Sequence, residues 1–311
     1  MMKKKKISIV TPCFNEEDNV QELYERIKTM MTGFSYEYEH VFIDNASTDG
    51  TEGILRRLAA QDKRVKVIIN ARNFGHIRSP YYALLQASGD AVIAMASDFQ
   101  DPPEAIPAFI RKWEEGYKIV AGVKTHSQES GLFYFLRSLY YRILRNLSDL
   151  QLIDNFTGFG LYDRKVIDLL REFNDPYPYF RGLIADIGFE AARIEFDQPR
   201  RKRGISKNNF YTLYDMAMLG MTSYTKIPLR LATMLGFLSA ILSFLIGIVY
   251  LVYKLVDWQN FSLGLAPVII GLFFMGSIQL FFLGIVGEYI GSIYTLAVRR
   301  PLVIEKERIN F

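Results

Sequence analysis

The chain is almost without cysteine. Cys13 is the single thiol among 311 residues, which excludes a disulfide scaffold and fits a globular part facing a reducing cytosol. Charge of one sign is scarce too: 37 Lys+Arg stand against 33 Asp+Glu, a formal +4, so the clustered cationic footprint of a nucleic-acid binder is missing. No GxGxxG follows the first apolar run and no GxxxxGK[ST] occurs, so neither a dinucleotide fingerprint nor a P-loop is supported. The opening Met1-Met2-Lys3-Lys4-Lys5-Lys6 has the cations of a secretion signal. Its apolar run, Ile7-Ser8-Ile9-Val10, ends at once in Thr11-Pro12, so the lysines read as a solvated tail. No repeat of solenoid length is visible. Disorder is excluded by a composition of 50% hydrophobic and 14% aromatic residues.

What is present is segregated. From Leu231 to Tyr253 no residue is charged. A helix of that length spans about 34 Å, enough for a hydrocarbon core of roughly 30 Å. After the polar break Asp257-Trp258-Gln259-Asn260, a second apolar run extends from Phe261 to about Gly287 and continues past Glu288 towards Val298. The pattern predicts a transmembrane hairpin over 229–298, with spans near 231–253 and 263–287. Lys226 and Arg230 precede it and Arg299, Arg300, Lys306 and Arg308 follow it, while the connecting loop carries no cation, although Lys254 sits just before it. The positive-inside rule therefore places residues 1–228 and a tail, 299–311, in the cytoplasm. Glu288 reads either as a functional intramembrane carboxylate or as a group at the interface paired with Arg299 or Arg300.

The polar part alternates strand and helix patterns. Strands are expected at Ile7–Thr11, His40–Asp44, Val65–Asn70, Ala91–Ala96 and Lys118–Val123, with helices at Asn19–Thr32, Thr48–Gln61, Ser79–Ser88 and Pro103–Glu115. That alternation predicts an α/β domain: a mostly parallel sheet with helices on both faces. Ligands of such sheets bind beyond the carboxyl ends of the strands. Polar clusters fall there: Asn15-Glu16-Glu17, Asp44-Asn45, Arg72-Asn73 and Ser97-Asp98-Phe99-Gln100-Asp101. Between Ser127 and Asn155, apolar residues at helical spacing (Leu132, Phe135, Leu136, Leu139) carry Arg137, Arg142 and Arg145 among them. This segment suits a membrane surface or packing on its own domain. Phe210–Ile227 reads as a second interfacial segment leading into the first span.

TPCFNEED (11–18), FIDNASTDGT (42–51), ARNFGH (71–76), SDFQDPPE (97–104) and RKRGISK (201–207) occur in that order. Together they resemble the inverting family 2 glycosyltransferases with a GT-A fold, and within them the enzymes that glycosylate polyprenyl phosphates. The resemblance covers residues 7–210, and the hairpin with GEYIGSIY (287–294) and RRP (299–301) extends it to nearly the whole chain. It implies a GT-A domain over 1–210 and a nucleotide-sugar site lined by Pro12, Phe14, Glu16, Asp44, Arg72, Asn73, Ser97 and Asp98. It implies Mg²⁺ or Mn²⁺ on Asp98 and Gln100, since hard cations take oxygen ligands and need one or two carboxylates beside diphosphate oxygens. It also implies phosphate contacts from Arg201, Ser206 and Lys207.

The sequence departs from the family pattern near one site. Ala96 stands where the metal motif has its first aspartate, and Asn45 replaces the second of two adjacent aspartates. In Thr157-Gly158-Phe159-Gly160-Leu161, Gly158 takes the place of the aspartate proposed as base and Gly160 that of an arginine. A phosphate monoester has its second pKa near 6, so a lipid phosphate is mostly dianionic at neutral pH and attacks without a general base; a sugar hydroxyl does not. Should a base be needed, Asp101 and Asp154 are the candidates, with Asp98 the third catalytic carboxylate. Asp163 reads as the partner of Arg164 or as a helix cap. The expected activity is inverting transfer of one sugar from a nucleotide-sugar to undecaprenyl phosphate at the cytoplasmic face of a bacterial plasma membrane. The alternatives are a hydroxyl acceptor on a saccharide or lipid, or a nucleotide-sugar-binding membrane protein without turnover. Expected partners are the nucleotide-sugar, the lipid and the membrane, without nucleic acid. A second copy could pack through Gly271, Gly276 and Gly284.

Overall fold

The computed structural model describes residues 4–125, 152–199, 210–256 and 265–311. The strands are β1 (Lys6–Cys13), β2 (Glu37–Asp44), β3 (Val65–Asn70), β4 (Ala91–Ala94), β5 (Ile119–Lys124), β6 (Phe156–Asp163), β7 (Ala191–Phe196) and β8 (Glu305–Ile309). They form one sheet in the order β7-β5-β6-β4-β1-β2-β3-β8. β1 to β4 run parallel, as do β5 and β7; β6 is antiparallel to β4 and β5, and β8 is antiparallel to β3.

Side chains alternate between faces with the period of a strand. Ile7 and Ile9 of β1, Ile93 of β4 and Phe159 and Leu161 of β6 pack on one face. There they meet Leu23 and Ile27 of α1 (Val20–Met31) and Phe109 and Trp113 of α4 (Ile106–Glu114). Val10, Val41, Ile43 and Tyr162 point to the other face, against Tyr81 and Leu84 of α3 (Gly75–Gln86) and Ile167 and Leu170 of α5 (Arg164–Phe173). Phe42, Val67 and Ile69 bury Leu55 and Leu58 of α2 (Thr51–Gln61). Both faces are covered, which is why the first strands read as continuous apolar runs.

Several boundaries differ from expectation for identifiable reasons. β4 stops at Ala94 rather than Ala96, because the Asp101 carboxylate takes the Ala96 N–H at 2.9 Å and draws the chain out of the sheet. α3 begins at Gly75 rather than Ser79 and carries Pro80 inside it. Asp163 does cap the helix that follows, accepting from Lys165 N at 3.1 Å, and α5 ends at Asn174 with φ 46°. Asp163 also accepts from Trp113 Nε1 at 2.8 Å and pairs with Lys118, not Arg164. Since Asp163 sits opposite Ala91 and Gly160 opposite Ala94, the β6 carboxyl end lies at the foot of the sheet and Thr157-Gly158 at its top.

Beyond α6 (Phe180–Asp186) and β7, α7 (Phe210–Tyr224) leads to two long helices, α8 (Ile227–Val256) and α9 (Leu265–Val298). None of the most apolar stretch of either is buried in the protein, and Phe237 and Leu280 leave 70% and 71% of their surface exposed. Helices of 30 and 34 residues reach about 45 and 51 Å, longer than the expected spans and enough to cross a bilayer. Glu288 accepts from Tyr214 Oη at 2.9 Å, a partner on α7 in place of Arg299 or Arg300. Tyr289 Oη donates to the Thr225 carbonyl at 2.6 Å, a second tie between the spans and the segment before them. Arg299, at φ 46°, ends α9, and Pro301 follows.

The segment expected as a tail, 299–311, contains a strand. Residues 305–309 add β8 to the outer edge of β3, and Ala71 N donates to Ile304 O at 2.9 Å. Arg56 grips Glu307 with both terminal nitrogens, at 3.0 and 2.5 Å, and Asn310 Nδ2 donates to Ala59 O and Val65 O. Of the basic amphipathic segment 127–155, only 152–155 lie within the described residues.

Candidate active site

The carboxyl ends of β1, β2 and β4 converge, and the buried Cys13 marks the point. Its thiol pKa is raised by burial, then by the carboxylates of Asp44 and Glu16; a Ser97 hydrogen bond opposes, and Asp49 adds to the rise. Ser97 Oγ donates to Pro12 O at 3.1 Å, tying the β4 loop to the β1 tip. Pro12, Glu16, Asp44 and Ser97 therefore share one mouth, and Asp98 is the next residue on its rim.

Backbone strain is concentrated here. Asn15, Ala46 and Phe99 hold φ of 59°, 60° and 60°, a left-handed conformation unusual outside glycine. Asn15 N donates to Ser47 Oγ at 2.9 Å, and Asn15 Oδ1 accepts from Thr48 N at 2.8 Å. Asp44 is fully buried and accepts from Ser47 N and Oγ at 3.1 and 2.5 Å. Burial raises its carboxyl pKa, and the Ser47 bonds oppose that rise. Glu16 N donates to Thr51 Oγ1 at 2.9 Å, and Glu16 Oε2 accepts from Asn19 Nδ2 at 2.6 Å. These bonds fix the β1 and β2 loops against each other before any ligand arrives.

Asn45 explains one departure. Its Nδ2 donates to Gly75 O at 3.2 Å and Asn73 Oδ1 at 2.9 Å, while its Oδ1 accepts from Phe74 N at 2.9 Å and Asn70 Nδ2 at 3.0 Å. The Gly75 carbonyl can only accept and the Phe74 N–H only donate, so the amide orientation is set and an aspartate could not serve both. Asn73, expected beside the donor, is thereby linked to the Asp44 loop. Arg72 instead lays its guanidinium over Phe74, 4.1 Å from the ring centre.

Beneath the mouth lies a cavity of about 470 Å³. Pro12, Ala96, Asp101 and Gly158 border it, and Tyr81, Phe180 and Leu219 supply apolar wall. Burial raises the Asp101 carboxyl to about 6; the Ala96 N–H opposes, Asp98 adds to the rise and Lys124 opposes. Asp154 is exposed in the turn before β6 and is not part of this lining. Gly158 has φ +105°, and a Cβ there would meet the Phe180 ring at 3.3 Å; a Cβ on Gly160 would come within 2.3 Å of the Val120 carbonyl. The backbone thus excludes a side chain at Gly160 and disfavours one at Gly158. Leu219 belongs to α7, so the cavity opens beside the helix that runs into the first span. Tyr177 Oη, donating to Asp215 at 2.8 Å, braces α7 on the domain.

At the metal motif, Gln100 N donates to Asp98 Oδ1 at 3.1 Å, which folds the loop so that both side chains stem from one turn. No cluster of three or more His, Cys, Asp or Glu that could hold a metal occurs among the described residues. One carboxylate and one carboxamide remain, a hard oxygen set suited to Mg²⁺ or Mn²⁺ only with phosphate oxygens added. Arg201, Ser206 and Lys207 lie outside the described residues. Sequence reasoning missed the Ser47, Asp49 and Thr51 bracing and the cavity walls at Tyr179, Phe180 and Leu219. The run Ser47-Thr48-Asp49-Gly50 carries a turn signal that could have found the first group; the walls come together only through the tertiary fold.

Residues 8–170 match the model of Glycosyl transferase family 2, and residues 227–293 match the GtrB C-terminal hairpin. The chain is 35% identical over 300 residues to the uncharacterized glycosyltransferase YkcC of Bacillus subtilis, covering 96% of this chain and 92% of that one. It is 34% identical over 302 residues to the bactoprenol glucosyl transferase of Shigella phage SfV, covering 97% and 98%. A solved structure of glucosyl-3-phosphoglycerate synthase from Mycobacterium tuberculosis overlays with a TM-score of 0.46 at 20% identity, over 70% of this chain and 78% of that one. A mostly parallel GT-A sheet with strand-tip carboxylates, continued by a membrane hairpin of the GtrB type, places the chain in glycosyltransferase family 2.

Proposed function

We propose that this glycosyltransferase moves one sugar from a nucleotide-sugar to polyprenyl phosphate, undecaprenyl phosphate in bacteria, at the cytoplasmic membrane face and with inversion. The observation that carries the reading is the cavity bordered by Pro12 at the β1 tip, by Ala96 and Asp101 of the loop after β4, and by Leu219 of α7: the donor loops on one side, the approach to the bilayer on the other. Its near-full-length similarity to a phage enzyme named bactoprenol glucosyl transferase points the same way.

The donor would lie over Pro12, Phe14, Glu16, Asp44, Asn73, Ser97 and Asp98, with carboxylates accepting from the base and ribose. Asp98 and Gln100 would hold a divalent cation, Mg²⁺ or Mn²⁺, which when bound offsets the charge of the departing diphosphate. An ionised lipid phosphate attacks the anomeric carbon from the side opposite the diphosphate, and the C–O bond to that group breaks as the new one forms. No base is required, which fits a glycine, at φ +105°, where the family has a carboxylate. A hydroxyl acceptor would need one. Asp101, at the cavity wall, is the remaining carboxyl that could exchange a proton there. Lys226, Arg230, Arg299 and Arg300 flank the hairpin and favour a cytoplasmic domain.

The test is transfer by the full chain in nanodiscs, given undecaprenyl phosphate, Mn²⁺ or Mg²⁺ and a donor panel beginning with nucleotide-glucose. A glycolipid from wild type and loss of about 10²-fold or more in Asp98→Asn are expected. No glycolipid with any donor, or full turnover by Asp98→Asn, overturns the assignment.

A further inference from the structure

Arginines gather where the second span ends, and none of them has an ion-pair partner among the described residues. Arg72 follows β3, Arg78 lies in the first turn of α3, and Arg300 follows α9. The guanidinium groups of Arg72 and Arg78 lie 4.1 and 5.5 Å from the ring centre of Phe74. Arg78 donates to the Pro301 carbonyl, and its Nε is buried with no partner among the described residues. Burial, then the charges of Arg72 and Arg300, hold the Arg78 pKa below the usual guanidinium value; only the Tyr177 phenol acts the other way. Several arginines elsewhere are matched: Arg56 with Glu307, Arg64 with Asp62, Arg171 with Asp168, Arg308 with Glu305.

Like charges held together in a half-buried place repel, and an N–H kept from water without an acceptor adds to the cost. An anion between them would relieve both. Planar guanidinium forks suit phosphate oxygens in particular. The position narrows the source. Asn73, beside Arg72, is bonded to the Asn45 amide of the donor mouth, while His76 and Ile77, beside Arg78, line the cavity. Pro301 is where the chain returns from the bilayer.

We propose that Arg78, with Arg72 and Arg300, binds the phosphate of a lipid at the membrane-side lip of the active site. This rests on the lipid-acceptor reading above. The phosphate belongs either to the polyprenyl acceptor or to an anionic phospholipid beside it, and one experiment separates the two.

Wild type, Arg78→Gln, Arg78→Lys and Arg300→Gln are compared in nanodiscs of phosphatidylcholine alone or with phosphatidylglycerol. Arg300→Gln removes a side chain with no hydrogen bond or ion pair among the described residues and guards against misfolding of Arg78→Gln. KM for undecaprenyl phosphate is measured at saturating donor, along with the melting shift each lipid produces. An acceptor site predicts about a tenfold rise in that KM for both glutamine variants in neutral discs, an unchanged donor KM, and partial rescue in Arg78→Lys. A phospholipid site predicts that phosphatidylglycerol raises the activity and melting point of wild type, and that the glutamine variants lose this response. Unchanged acceptor KM and unchanged lipid response in both glutamine variants overturn the proposal. A wild type that makes no glycolipid would instead defeat the parent reading, and the melting shifts would still decide the site.

Discussion

At Asn45 a single amide serves two donors and two acceptors, and Asn45→Asp tests whether the donor mouth depends on it. The carboxylate would face the Gly75 carbonyl with nothing to donate. A loss of about 1–3 kcal/mol in stability is expected, read as a lower melting temperature, together with a raised donor KM. Gly158→Asp restores the family's carboxylate at φ +105° beside the Phe180 ring. It should lower stability by about 1–3 kcal/mol and leave transfer to polyprenyl phosphate no faster. A faster variant would show that the acceptor does use a base. Asp101 carries a pH signature. Its pKa is raised from 3.8 to about 6 in the fold, so the folded state binds the proton more tightly, and stability falls as pH rises through that interval. Asp101→Asn keeps an acceptor for Ala96 N–H and removes the slope. Its melting point should exceed that of wild type at pH 7.5, by the equivalent of on the order of 1–3 kcal/mol, and match it near pH 3.5.

Legibility differed sharply between elements. β1 to β5 were readable because their residues are apolar on both faces and end in polar clusters. β8 was not. Its sequence, Glu305-Lys306-Glu307-Arg308-Ile309, is mostly exposed and has no apolar pattern; its pairing is decided by the open edge of β3. β6 registered as a motif rather than a strand because Gly158 and Gly160 weaken its strand character, although Gly160 is demanded by the close Val120 carbonyl. α3 begins at Gly75, ahead of the expected Ser79, and Pro80 stands inside the helix. The site divides the same way. The strand-tip carboxylates were legible from their positions after apolar runs. The cavity was not, because its walls come from α3, β6, the Pro178–Arg181 segment and α7, distant in sequence. A chain ending at Pro301 should expose the β3 edge and lose the Arg56–Glu307 pair. Lower melting temperature and aggregation, measured by light scattering on heating, are the expected result.

For the molecule as a whole, one sheet includes strands from both sides of the hairpin: β1 to β7 precede it and β8 follows it. Both flanks must then lie on one side of the bilayer, whatever the cations favour. Epitope tags before Met1 and after Phe311 should be digested from the same side of sealed vesicles, and protection of only one would contradict the shared sheet. The same topology fixes an order of events. During synthesis the β3 border stays unclosed until the nascent chain has passed the hairpin and delivered Ile309, so completion of the sheet waits on the last residues to be made.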